Sequence, residues 1–181
     1  MSKGVKKSMN EQTKNLIALL LSKFPTEPEP IVLIKLVYLC ELEAVEKYGK
    51  RVTDLKFIHY RHGPYSSELQ NTYGDGLFSQ INLNKIDPDL ILAVETIAEK
   101  WVPRILSGGK QGLINQAYHT LPFQETAYGQ EIDFNKHFGK KHLADVVVNR
   151  SLYKKLANPK IKLYTHKELQ SSIAALLEQI T

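Results

Sequence analysis

The 181-residue sequence has a single cysteine, Cys40. One thiol forms no internal disulfide and builds no cysteine-based zinc site. Long apolar runs are missing as well. The longest stretch, Ile31 to Leu42, is interrupted by Lys35 and Glu41 and falls short of the ~20 residues that span a bilayer. The basic first residues (MSKGVKKSMNEQTKN) lead into neither the apolar core of a signal peptide nor an A-x-A-like cleavage site. These absences predict a soluble, reduced, cytoplasmic protein with no membrane partner. No repeat and no low-complexity tract occurs, and a chain of this length buries a core without staples.

Catalytic signatures are equally scarce. The sequence lacks G-x-S-x-G, a P-loop and H-E-x-x-H. The glycine-rich Ser107-Gly108-Gly109-Lys110-Gln111-Gly112 lacks the spacing of a nucleotide loop and reads as a helix terminator. His59 and His62 precede Gly63-Pro64, which opposes a helix, and on a strand residues three apart face opposite ways. His137 and His142 flank Gly139, Lys140 and Lys141, whose charges repel a cation. Cys40 lies on the most apolar predicted helix, as an inert core thiol. The expectation is no catalytic residue, no metal and no cofactor, hence no enzyme.

What is present is ordinary globular composition, 43% hydrophobic and 24% charged, with a net charge of +5. The charge is unevenly spread. Glu27, Glu29, Glu41, Glu43 and Glu46 face Lys35 and Lys47 between Thr26 and Lys47. Between Phe134 and Lys167 the cations include Lys136, Lys140, Lys141, Arg150, Lys154, Lys155, Lys160 and Lys162, against Asp145 alone. Either the two surfaces complement each other in the fold, or the late segment is a basic patch for nucleic acid or an acidic partner.

Ser8 and Glu11 have capping-box spacing and predict a first helix with Leu16, Ile17, Leu19, Leu20 and Leu21 on its apolar face. Pro25, Pro28 and Pro30 end it. A central helix from about Ile31 to Tyr48 follows, apolar on nearly all sides, with Gly49 as C-cap. Lys56–Arg61 reads as a strand closed by a His62-Gly63-Pro64 turn, and Tyr65 to Tyr73 as a short helix. Leu77–Leu83 is strand or irregular. Asp87-Pro88 starts a long helix to Leu106. Gly109–Thr120 reads as helix, Leu121–Phe134 as loop or short extended pieces. Lys140–Leu156 and a segment from Thr165 to about Ile180 read as helices, with Ile161–Tyr164 a short strand. The fold class expected is mainly α, a compact helical domain with a small β-hairpin, for which a winged-helix-like arrangement is one assembly.

The densest segment is Phe57-Ile-His-Tyr-Arg-His-Gly-Pro-Tyr-Ser-Ser-Glu-Leu69. It is either a strand, turn and helix start with Tyr65 packed inward, or a recognition surface, since Tyr and Arg are favoured interface anchors. Together with Lys35-Leu-Val-Tyr-Leu39 it resembles the Panacea antitoxin domain, a family of SocA-type antitoxins and many phage-associated proteins. That pattern is a helix reading K-L-x-Y-L, a strand with an aromatic and a cation, then Gly-Pro and a short helix. Lys35, Leu36, Tyr38 and Leu39 fill the first part; Tyr60, Gly63, Pro64 and Leu69 fill the second. Tyr118-His-Thr-Leu-Pro-Phe123 is similar to a later family element, with Phe123 where the family commonly has Trp. The resemblance covers Ile17 to Phe134.

The resemblance implies a mostly helical Panacea-like domain over residues 8–137, leaving 138–181 as a basic C-terminal helical extension packed on it. It implies no catalysis, but binding and neutralisation of a toxin encoded beside the gene, in some members with presentation of a toxin to a protease. Lys35, Tyr38, Tyr60, His62, Gly63, Pro64, Tyr65 and His119 are the partner-binding candidates. The alternative is a winged-helix-like nucleic-acid-binding regulator, with phosphates held by Lys140, Lys141, Arg150, Lys154 and Lys155. Against it, Tyr65–Tyr73 offers only Gln70 and Asn71 for base readout.

Overall fold

The computed structural model describes residues 9–74 and 82–134. Helix α1 spans Glu11–Leu21. Its N-cap is Asn10, whose side chain accepts from the Thr13 backbone N–H at 2.7 Å. The Ser8–Glu11 capping box is thereby corrected: the cap lies two residues later, at Asn10, whose side chain satisfies a free N–H of the first turn. Helix α2 spans Pro30–Tyr48, and Gly49 ends it in the left-handed region at φ 64°. Pro30 is its first residue, where a missing N–H costs no hydrogen bond.

Helix α2 is the axis of the fold. It packs against α4 (Pro88–Leu106) and α5 (Lys110–Tyr118), while α1 lies against α4. Its buried residues run round the cylinder from Val32 to Val45, as an all-round apolar sequence requires. Each fully buried Leu or Ile here contributes roughly 1.5–3 kcal/mol of transfer free energy. Asp87 caps α4 through Asp89 N, and Pro88 opens the helix. A short helix, α3 (Ser67–Thr72), follows the hairpin, and a single 3-10 turn covers Leu83–Lys85. Leu121–Gln124 forms helix α6 where loop or extended pieces are expected, with Pro122 in its first turn.

The β-hairpin differs from the sequence reading in its second strand. Strand β1 is Ile58–Tyr60 and strand β2 is Gly63–Tyr65, paired antiparallel with Tyr60 opposite Gly63 and His59 opposite Pro64. The Gly-Pro pair is therefore strand, and the reversal is made by Arg61 and His62. Among the described residues no non-glycine residue has positive φ, so the turn places its left-handed residue at Gly63, φ 85°. Proline fits β2 because His59 directs its backbone groups away from Pro64: its N–H goes to Gln130 O (2.9 Å), and its carbonyl accepts from Gly129 N (2.8 Å). The Lys140–Leu156 helix, the Ile161–Tyr164 strand, the C-terminal helix and most of Leu77–Leu83 lie outside the described residues. No described helix is long and apolar enough to cross a membrane.

Candidate functional site

The hairpin rests on a lysine. Lys35 interrupts the apolar run of α2 and is only 2% exposed. Its Nζ donates to the Pro64 carbonyl at 2.7 Å, and it forms no ion pair among the described residues. Burial lowers its pKa from 10.5 to about 8. A Cβ built on Gly63 would lie 3.2 Å from Lys35 Cε and Nζ and from a ring carbon of Tyr118. Glycine at this position thus serves the backbone angle and the close approach of the lysine together. Tyr118 closes the other side, its hydroxyl donating to the Arg61 carbonyl at 2.6 Å.

Beside the lysine stands Tyr38, fully buried. Its ring packs against Phe57 and Phe134, with centroids 5.6 Å away in both cases. Its hydroxyl meets Thr120 Oγ1 at 2.7 Å. Burial raises the Tyr38 pKa above its ordinary range, although Thr120 and the Phe123 backbone pull it down. The tyrosine ties α2 to the start of α6.

Above this platform the rings turn outward. Tyr60 and Tyr65 pack diagonally across the two strands at 5.3 Å. Tyr128 stacks on Tyr60 at 6.0 Å, nearly parallel, and His59 lies on Phe123 at 4.0 Å. His59 Nδ1 is also 2.6 Å from the Thr126 carbonyl. Tyr60 is 44% exposed and Tyr128 64% exposed, and His62 at the turn is exposed as well. Tyr60 and Tyr128 thus face solvent beside a half-buried Tyr65, above a hairpin held from beneath.

A second buried charge fixes the approach to β1. Glu41 on α2 accepts from Arg51 through both carboxylate oxygens (2.8 and 3.2 Å). It also accepts from Val52 N (2.9 Å), Thr53 N (3.0 Å) and the Thr53 hydroxyl. Arg51 in turn covers the Phe134 ring at 4.3 Å. One carboxylate thereby gathers the chain that runs from α2 into the hairpin.

The structure brings Lys35, Gly63 and Pro64 into one contact set and joins Tyr60 to Tyr65 on its surface. Lys35 and Tyr38 lie beneath that surface rather than on it. His119 is exposed at the end of α5 and bonds back to the Asn115 carbonyl of that helix at 2.7 Å. Lys140, Lys141, Arg150, Lys154 and Lys155 lie outside the described residues. Tyr128 and Tyr118 are absent from the sequence-derived candidates. Tyr118 sits in the quoted later motif, so a signal for it existed; Tyr128, distant in sequence and outside any motif, had none. Cys40 is buried, its thiol pKa pushed up by burial and then by Glu41, Glu43 and Glu95. Among the described residues no group of three or more His, Cys, Asp or Glu could hold a metal ion.

No curated protein and no solved structure gives a significant match to this chain. The family model of the antitoxin SocA-like Panacea domain does match, over residues 33–170, about three quarters of the chain. Lys35, Tyr38 and the whole hairpin fall within it. The chain belongs to the SocA-like Panacea family of antitoxin domains.

Proposed function

We propose that this protein is an antitoxin that neutralises a cognate toxin by direct contact, and that the hairpin strip of Tyr60, Tyr65 and Tyr128 with His62 is the contact surface. The observation that carries the reading is the exposure of Tyr60 on a hairpin anchored by Lys35, with the exposed Tyr128 stacked on it and Tyr65 half-buried beside it. Tyrosine supplies a large contact area at little conformational cost, and a hairpin ordered before binding loses little entropy on association. Neutralisation is steric: the strip covers the toxin's active or target-binding surface, and no bond is made or broken. Family membership supports an antitoxin role and a toxin partner.

The test is co-expression with the product of the neighbouring gene. That product should arrest growth alone and be harmless beside the wild-type chain. Gly63→Val, or Pro64→Ala combined with Tyr65→Ala, should abolish rescue. Full rescue by a folded double variant would rule out the hairpin as the contact surface. A neighbouring product that is harmless alone would contradict the antitoxin reading.

A further inference from the structure

A second surface lies behind α6. Helices α2 and α4, with α6, enclose an open groove of about 360 Å³. Its floor and walls include Leu42, Ile97, Trp101, Leu121 and Pro122. Leu121 is 60% exposed although it is a large aliphatic residue. Charges of opposite sign stand on facing walls. Glu43 and Glu46 line the α2 side, three residues apart and therefore on one face of the helix. Lys100 lines the α4 side, its ammonium 5.3 Å from the Trp101 ring centroid. Glu43 is paired with Lys47. Glu46 is exposed and has no ion-pair partner among the described residues, and neither has Lys100.

We infer that this groove docks an amphipathic helix of the same cognate toxin. That helix inserts an aliphatic side chain between Leu42, Ile97 and Leu121, sets a Lys or Arg against Glu46 and sets an Asp or Glu against Lys100. The charges decide the chemistry of the occupant. A purely apolar segment would desolvate Glu46 and Lys100 without compensation, and a segment of one charge sign would be repelled by one wall. The walls decide its form. They are helices whose backbone groups are bonded internally, so an added strand would find no main-chain partners there. An aliphatic anchor spaced at i, i+3 or i+4 from its charges meets both the floor and the rims.

The groove and the hairpin are joined through α6. Leu121 and Pro122 line the groove, the next residue Phe123 stacks on His59 of β1, and Thr120 is bonded to Tyr38. One partner can therefore contact both surfaces across four residues of chain, and two sites engaged together raise the overall affinity.

The inference rests on the antitoxin reading. Its test uses the full-length chain and the purified product of the neighbouring gene. With Leu121 replaced by photoreactive p-benzoylphenylalanine, irradiation should join the two proteins. Mass spectrometry should place the adduct in a segment with an aliphatic residue flanked within one turn by both charge signs. Leu121→Asp and Glu46→Lys should each weaken binding at least tenfold while circular dichroism stays unchanged. A crosslink to residues 135–181 of the same chain, or to a second copy, would overturn the inference, as would wild-type affinity in both variants. A product that binds the wild-type chain, but loses affinity only when Tyr60 and Tyr128 are changed, overturns the groove and leaves the antitoxin reading standing. A product that binds neither wild type nor variants overturns both.

Discussion

Helix α2 carries two buried charges, Lys35 and Glu41, and they are treated differently. Glu41 is 0% exposed and receives hydrogen bonds from Arg51, two backbone N–H groups and the Thr53 hydroxyl. Lys35 is as deeply placed, yet its ammonium has the Pro64 carbonyl as its single hydrogen-bond acceptor among the described residues. A carboxylate surrounded by donors is a fixed staple. An ammonium with three donors and one acceptor bears a desolvation cost that its surroundings do not offset. The first region is built for permanence. The second holds the hairpin that carries the exposed Tyr60, with a bond whose donor changes charge near physiological pH.

The largest effect is expected at Glu41, the fully hydrogen-bonded charge. Glu41→Ala leaves Val52 N, Thr53 N and the Thr53 hydroxyl without their acceptor, and Arg51 with the Leu55 carbonyl alone. We expect a loss of about 3–5 kcal/mol in denaturant unfolding. A loss below about 1 kcal/mol would mean that the 51–53 segment finds other partners, and the contrast with Lys35 would disappear.

Next comes the pH dependence of Lys35. At pH 7 the side chain is protonated in both the folded and the unfolded chain, and the folded state bears the cost of the buried charge. Above about pH 8 the folded chain gives up this proton, while the unfolded chain keeps it to 10.5. The unfolded state then binds more protons, so this group makes stability rise with pH between about 8 and 10.5. The full rise for one such group is about 3 kcal/mol. Lys35→Met removes it, so the stability of wild type minus that of the variant should increase across this range. Parallel pH profiles would show that Lys35 is not held in a cost-bearing state.

A smaller effect tests the fit of the lysine against the hairpin. Gly63→Ala places a methyl group 3.2 Å from Lys35 and Tyr118 at φ 85°. The left-handed backbone alone costs about 1–2 kcal/mol. In the Lys35→Met background one of these contacts changes, so the effects of the two substitutions should not add. The smallest stability effect belongs to the surface: Tyr60→Ala with Tyr128→Ala removes exposed stacked rings and should cost less than about 1 kcal/mol. Thermal unfolding distinguishes all four cases.

Much of the scaffold was readable before the structure. Asp87-Pro88 announced α4 because a side-chain cap and a missing N–H are local properties. Gly49 marked the end of α2 for the same reason. The second strand was not readable in this way. Gly63-Pro64 carries the composition of a turn, and only the pairing with β1, in which Pro64 needs no N–H, makes it strand. The Asn10 cap displaced Ser8 because two acceptors competed for one helix start and sequence spacing alone does not rank them. Lys35 offered a usable signal: a cation inside a helix apolar on every side has no outward face, so burial follows from the pattern. Tyr128 offered none, since its stacking on Tyr60 depends on how the chain returns after α6. The core of the site was therefore legible from motif residues, and its outer surface was set by tertiary structure.

The proposed toxin contact is made by the exposed rings rather than by the buried charges beneath them. Isothermal titration of the purified neighbouring gene product into the Tyr60→Ala, Tyr128→Ala double variant tests it most directly, with thermal unfolding run on the same sample. We expect a variant as stable as wild type to within about 1 kcal/mol, and an affinity reduced by about 30-fold or more, the loss of a pair of interface anchors. Wild-type affinity in that folded variant would contradict the proposed contact.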